Sequence, residues 1–175
     1  MDIEKRVGEI FDQLVEIRRD FHMYPELSQR EYRTSEKICK YLSEWGIEHV
    51  KGIADTGVVA IIRGKKDGKT VAARADIDAL PILEKNDLPF KSKNEGIMHA
   101  CGHDVHTAIH LGVARIFKEM EEELEGNVKI FFQPAEETVG GARRMIEEGC
   151  LENPHVDYIL SLHLNPSLET GHVLL

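Results

Sequence analysis

The chain has 175 residues, of which 22 are lysine or arginine and 31 are aspartate or glutamate, so its formal net charge is −9. This length suits a single domain, and the ordinary shares of hydrophobic (42%) and charged (30%) residues predict a folded globular protein. The acidic balance argues against a nucleic-acid partner, because binding to phosphates requires clustered lysine and arginine.

Two amphipathic helices open the chain. Residues 3–20 carry apolar side chains at helical spacing, which predicts a helix with one buried face. Pro25 disfavours helix at Tyr24, the residue before it. Residues 30–45 form the second predicted helix, and Gly46 is suited to its C-cap.

Two strands are predicted next. Residues 58–64 and 70–76 are runs of β-branched or small apolar residues. Between them, residues 65–69 contain an Asp-Gly pair, which is typical of a hairpin turn.

Helices and strands alternate in the rest of the chain. We predict helices over 104–123 and 140–149 and buried strands over 127–133 and 156–164, with a further strand beginning at 171–175. This alternation predicts an α/β fold with a mostly parallel sheet flanked by helices. Ligands gather at the carboxyl ends of such strands, where the polar clusters described below lie.

The sequence gives no indication of a membrane or secreted protein. No apolar run approaches the ~18 residues that span a bilayer, and the charged start lacks the apolar segment of a signal peptide. Three cysteines make no disulfide framework. We therefore expect no membrane partner and a cytoplasmic location.

The densest group of potential ligands lies in residues 98–110, MHACGHDVHTAIH. Thiolate and imidazole are ligands that Zn²⁺ and similar ions prefer, and Cys101 and His103 flank a glycine that permits both to face one side of a loop. Asp104 is placed either to cap the following helix or to orient a histidine. His106 and His110 are four residues apart and so share one face of that helix. The alternative is a core cysteine with surface histidines.

Carboxylates follow two of the predicted strands. The side chains of the adjacent residues Glu136 and Glu137 point in different directions, so one is free to bind metal while the other transfers a proton. The alternative is a charged turn at a helix N-terminus. Asp76 and Asp78 alternate by two and face the same way on extended backbone, unless they are simply turn aspartates.

Two further stretches contain histidine. His163 ends the predicted strand 156–164, where it is either a ligand or a hydrogen-bonded core residue. Residues 18–31 contain His22, Glu26 and Glu31, and we interpret this stretch as structural. Taken together, the donors of the clusters fit a one- or two-ion hydrolytic centre.

The motifs resemble the M20 metallopeptidases, in particular their amidohydrolase branch, which includes hippurate hydrolase, N-acyl-L-amino acid amidohydrolases, N-acetyldiaminopimelate deacetylase and plant auxin-conjugate hydrolases. The matching stretches occur in the family's order: RRDFHMYPELSQRE, RADIDALP, MHACGHDVHTA, FQPAEE and LHLNP. The combination of MHACGHD with PAEE is highly specific, and the resemblance covers essentially the whole chain.

The resemblance implies roles for individual residues. The metal ligands would be Cys101, His103, Glu137 and His163, and they would hold two divalent ions (Zn²⁺, Mn²⁺, Co²⁺ or Ni²⁺). Glu136 would be the general base. The remaining implied residues are the active-site aspartate Asp76 with its companion Asp78, and the supporting residues Asp104 and His106.

The implied reaction is metal-dependent hydrolysis of the amide bond of small N-acyl amino acids. An aminopeptidase or dipeptidase of the wider family is an alternative, but those enzymes carry His-x-Asp where this chain has Asp76-Ile77-Asp78, and an aspartate in place of Cys101. Family members are roughly twice as long. The resemblance therefore implies that residues 1–175 are the N-terminal part of a catalytic domain, without the lid domain and the C-terminal catalytic segment. A further alternative is an inactive metal-binding fragment.

Overall fold

The computed structural model describes residues 1–138 and 140–174. Its secondary structure consists of α1 (Ile3–Met23), α2 (Tyr32–Glu44), β1 (Glu48–Ile53), β2 (Gly57–Arg63), β3 (Lys66–Asp76), α3 (His103–Glu119), β4 (Glu125–Gln133), α4 (Gly141–Glu147) and β5 (Tyr158–Ser161). None of the helices in this described part combines the length and apolar character needed to cross a bilayer.

The strands form one sheet with the order β1-β2-β4-β3-β5. The predicted α/β class with flanking helices is confirmed, but the sheet is mixed rather than mostly parallel. β4 is parallel to β3 and antiparallel to β2, while β1 is antiparallel to β2 and β5 is parallel to β3. Strand β1 was missed because most of its side chains are exposed, so it carries no clear apolar alternation.

The predicted hairpin over residues 58–76 is wrong. β2 and β3 do not pair with each other; each pairs with β4, which lies between them. Residues 66–69 extend β3 instead of turning. Gly68 serves a close approach of two backbones, because a Cβ there would lie 2.7 Å from the backbone nitrogen of Gly126.

The larger core lies between one face of the sheet and helices α1, α2 and α3. Small residues such as Ala75 on β3 and Ala108 and Ala114 on α3 are fully or almost fully buried, and they let this helix pack closely on the sheet. A smaller cluster on the opposite face includes Phe131 of β4 and Met145 of α4. The central strand β4 is therefore buried on both faces, as its continuous apolar run predicts.

The prediction of a buried strand near residues 156–164 is only half correct. β5 exists, but Tyr158, Ile159 and Leu160 are each more than half exposed. β5 lies at the edge of the sheet and pairs only with β3 among the described strands, so burial on both faces is lost. No strand forms over the described residues 171–174, and Leu175 lies outside the described part of the chain.

Candidate metal centre

The two predicted aspartates lie at the carboxyl end of β3. Asp76 is its last residue and Asp78 follows two positions later, and each is 1% exposed. Asp78 accepts hydrogen bonds from the hydroxyl of Ser28 at 2.6 Å and from the backbone N–H of Glu137 at 3.1 Å. Asp78 therefore holds the loop of the two glutamates against the end of β3.

His103 is the first residue of α3 and is completely buried. The preceding Gly102 has φ +88°, and a Cβ there would lie 2.6 Å from a side-chain carbon of Leu164, so the turn requires glycine. The Nδ1 atom of His103 lies 2.9 Å from the backbone carbonyl of Asp78. Donation to that carbonyl fixes the tautomer of the neutral ring, whose Nε2 lone pair is then available to a metal.

His106 links Asp76 to the segment containing the last predicted ligand. Its Nδ1 lies 2.5 Å from Asp76 Oδ1, and its Nε2 accepts a hydrogen bond from the backbone N–H of Leu164 at 3.0 Å. Because Nε2 is an acceptor there, the proton is on Nδ1 and is donated to Asp76. His106 thus supports the chain next to His163 and uses both ring nitrogens in doing so.

The two glutamates follow β4 and differ in their exposure. Glu137 Oε1 is buried, lies 3.8 Å from His103 Nε2 and has no hydrogen-bond partner among the described residues. Glu136 is exposed and lines an open groove of about 440 Å³ together with Arg74 and Gln133. Both carboxylates therefore lie beside His103, with ligand atoms within 4.8 Å of one another, but Glu136 is exposed to solvent whereas Glu137 is partly buried.

Cys101 and His163 complete the cluster. Cys101 Sγ lies 3.4 Å from His163 Nε2, and the other ring nitrogen of His163 lies 2.7 Å from the carbonyl of Leu164. Both His103 and His163 thus have Nδ1 against a carbonyl and Nε2 directed toward the cluster.

His103 belongs to each of three sets of side chains whose ligand atoms lie within 4.8 Å of one another. The sets are Cys101 with His103 and His163, His103 with Glu136 and Glu137, and Asp76 with His103 and His106. The buried Nε2 of His103 has no hydrogen-bond partner among the described residues, and a buried polar atom left in this state is costly. The soft and hard donors around it fit a divalent transition metal.

The local charges also favour a cation. Burial and the neighbouring Glu137 carboxylate, with Asp76 further away, raise the pKa of the Cys101 thiol to about 11. Burial alone would raise the pKa of Asp76, but the hydrogen bond from His106 and the charges of His103 and Arg74 outweigh it and lower that pKa to about 2. The ionised carboxylates therefore create a negative potential that a bound divalent ion offsets.

Asp104 lies away from this cluster. It does not cap α3, whose N-cap is Gly102, and its side chain has no hydrogen bond or ion pair with a predicted ligand among the described residues. Its Oδ2 accepts from His22 Nδ1 at 2.7 Å and pairs with Arg18 at 2.8 Å. His99 is also buried nearby, and burial lowers its pKa to about 4.

Two contributors to the site were not identified from the sequence. Arg74 pairs with Asp76 at 2.8 Å and donates to Gln133 at 2.8 Å, and Ser28 donates to Asp78. The only sequence signal for Arg74 was its position two residues before Asp76 in the RADID stretch. Ser28 lies in the stretch interpreted as structural and carried no signal of its own.

The family model described as peptidase family M20/M25/M40 matches residues 72–174. The chain belongs to this family. The match begins within β3 and includes every predicted ligand, so the resemblance found from the motifs is confirmed at the level of the family.

Relatives of the chain agree with this membership. It is 49% identical over 161 residues to the N-acetyl-L-cysteine deacetylase of Bacillus subtilis, covering 92% of this chain and 38% of that protein. It is 46% identical over 172 residues to thermostable carboxypeptidase 1 of Saccharolobus solfataricus, covering 97% and 43%. The chain thus spans less than half the length of these M20 relatives.

A solved structure shows the same fold. The crystal structure of the Bacillus subtilis YXEP protein, a dinuclear metal binding peptidase from the M20 family, matches with a TM-score of 0.87 and 46% identity. The match covers 92% of this chain and 45% of that chain. The flanked sheet described above is therefore that of an M20 catalytic domain, and dinuclear metal binding is a property of this neighbour.

Proposed function

We propose that this chain supplies metal-binding and proton-transfer residues of an amidohydrolase that cleaves N-acyl amino acids into a carboxylic acid and an amino acid. The observation that carries the proposal is the buried His103, whose Nε2 has no hydrogen-bond partner among the described residues and lies 3.8 Å from a carboxylate oxygen of Glu137. The deacetylase relative at 49% identity supports the substrate class.

The residues suited to hold the metal are Cys101, His103, Glu137 and His163. We propose two divalent ions, as in the dinuclear neighbour, and Zn²⁺, Mn²⁺, Co²⁺ and Ni²⁺ all suit this mixture of donors. When bound, such ions polarise the substrate carbonyl and stabilise negative charge on its oxygen.

Glu136 is the general base of the proposal. Its carboxylate lies beside His103 but is exposed and lines the groove, so it is accessible to both water and substrate, whereas Glu137 is more buried. Glu136 takes a proton from the attacking water and returns it to the leaving nitrogen. Asp78 and Asp76 contribute by orienting His103 and His106 through the contacts described above.

Carboxypeptidase activity is a second candidate, and the similarity to the carboxypeptidase of S. solfataricus favours it. The two activities share their chemistry. A C-terminal peptide bond and the amide of an N-acyl amino acid both have an acyl group on one side and an amino acid with a free carboxylate on the other. The proposed base and ligands serve either substrate.

The test is to load the chain with metal and to measure its hydrolysis of three substrates: N-acetyl-L-methionine, a free dipeptide and an N-blocked dipeptide. We expect the acylated substrates to be cleaved and the Glu136→Gln variant to lose about 10²–10⁴-fold in rate, the usual contribution of a general base. Glu4→Gln, at the opposite end of α1 from His22, is the matched control. A Glu136→Gln variant as active as the control, or cleavage confined to the free dipeptide, contradicts the proposal. A chain that binds metal but has no turnover supports the inactive-fragment alternative.

A further inference from the structure

The buried carboxylate of Glu31 joins three segments beside the candidate metal centre. Glu31 is 0% exposed and is the N-cap residue of α2. One of its oxygens accepts a hydrogen bond from the backbone N–H of Ala135 at 2.9 Å. The other accepts one from the hydroxyl of Thr56, between β1 and β2, at 2.6 Å. Ala135 immediately precedes the two glutamates, so Glu31 fixes the start of their loop.

The glutamate loop needs such fixing because Ala135 adopts a left-handed conformation, with φ 52°. This conformation is unfavourable for a residue other than glycine and persists only where its surroundings impose it. The carbonyl of Ala135 accepts from the N–H of Gly141 at 3.1 Å, and the N–H of Glu137 donates to Asp78 at 3.1 Å. Glu31 supplies the remaining constraint, on the N–H of Ala135.

Glu31 is also an unusual group to bury for packing alone. Among the described residues, no lysine, arginine or histidine nitrogen lies within 4 Å of its carboxylate. Burial raises its pKa, while hydrogen bonds from Thr56 and from backbone N–H groups, including that of Ala135, oppose this change. A buried carboxylate without a cation is costly, and donors alone satisfy this one. Such a cost is expected where a functional loop must be held in one conformation.

We propose that Glu31 is a positioning residue, which sets the conformation of the Pro134–Glu137 loop through the N–H of Ala135 and thereby places the carboxylates of Glu136 and Glu137 beside His103. The inference rests on the proposed function for its consequence at the metal centre. Its structural part, the fixing of the loop, is independent of any metal.

Two substitutions at position 31 separate positioning from simple bulk. Glu31→Met keeps an unbranched side chain but removes the acceptor for the Ala135 N–H. Glu31→Gln keeps an oxygen for Ala135, and its amide group donates to the Thr56 hydroxyl, which is able to accept as well as donate. Ile38→Ala, a fully buried residue of α2, is the control for lost stability without a change at the loop. If Glu31→Met does not accumulate as folded protein, Glu31→Asp replaces it, because the shorter side chain withdraws the carboxylate from Ala135.

The first measurement is amide hydrogen exchange at residues 135–137 in metal-free protein, and the second is Zn²⁺ affinity by competition with a chelating dye. For Glu31→Met we expect exchange at least about tenfold faster at these amides and affinity about 10–100-fold weaker. Glu31→Gln should return both within about threefold of the unmodified chain.

The proposal is overturned if exchange at residues 135–137 is unchanged in Glu31→Met, or rises equally in Ile38→Ala. It is overturned equally if Glu31→Gln is as impaired as Glu31→Met. If exchange behaves as expected but the unmodified chain binds no Zn²⁺, the positioning of the loop stands and the proposed metal-dependent function fails.

Discussion

Replacement of Asp76 by asparagine tests how much the negative charge at the end of β3 stabilises the fold. The carboxylate is 1% exposed and contacts His106 and Arg74. Asparagine keeps an oxygen for His106 but places an uncharged group against the guanidinium. The substitution therefore isolates the charge more than the shape of the side chain.

The size of the effect follows from the pKa. A pKa lowered from 3.8 to about 2 on folding corresponds to about 2 kcal/mol of stability at neutral pH, since each pKa unit is worth about 1.4 kcal/mol. Because folding lowers this pKa, the stabilisation is fully present above the unfolded value and is lost as the pH falls toward the folded value. It should decline to roughly half near pH 3.

The assay is urea unfolding of the metal-free chain in EDTA, near neutral pH and at several acidic values. We expect Asp76→Asn to be less stable by about 2–3 kcal/mol near pH 7, with a difference that shrinks as the pH falls below about 4. Asp12→Asn, at an exposed position of α1, should change stability by less than about 0.5 kcal/mol. A difference below about 1 kcal/mol, or one independent of pH, refutes this reasoning.

Three further predictions concern other buried contacts. The hydrogen bond to Asp104 raises the pKa of His22 in the folded protein. The loss of stability in His22→Asn, measured by urea unfolding, should therefore be largest below about pH 6.5 and should diminish as the pH rises through the raised pKa of the folded state. The ammonium of the buried Lys129 donates to three backbone carbonyls between residues 150 and 154, and Lys129→Met should lower the free energy of unfolding by about 2–4 kcal/mol, whereas an unchanged value contradicts this role. A Cβ at Gly141 would overlap the carbonyl of Pro134, so Gly141→Ala should lower Tm and weaken Zn²⁺ affinity together. The control Gly8→Ala, in open space inside α1, should leave Zn²⁺ affinity unchanged and should not lower Tm, because alanine is the better helix former.

The apolar pattern within each segment predicted most helices and strands, but it did not predict which strands pair with each other. The helices α1 and α2 and the apolar strand β4 were predicted within a few residues, since each carries a strong apolar period or run. The strand partners of β2 and β3 were not predicted, because β4 lies between these two strands and follows β3 through a crossover that includes α3. The exposure of β5 likewise depends on its place at the sheet edge rather than on its own composition.

For the candidate site, residue type indicated the donors but not their connections. Cys101, His103 and the two glutamates were identified because thiol, imidazole and carboxylate are recognisable as ligands. The orientation of His103 depends on a backbone carbonyl of Asp78, which has no signature in the sequence. Similarly, Glu31 lies in a matching stretch, but nothing in that stretch reveals its contact with Ala135, 104 positions away in the chain.

The most direct test of the central claim is the metal content of the chain by inductively coupled plasma mass spectrometry, after loading with Zn²⁺ or Mn²⁺ and removal of free metal. Cys101→Ala is compared with Cys39→Ala, which removes another partly buried free thiol. We predict near-stoichiometric metal in the unmodified chain and in Cys39→Ala, and a large loss in Cys101→Ala. A folded chain that retains no metal, or equal retention by both variants, would contradict the assignment of this cluster as a metal centre.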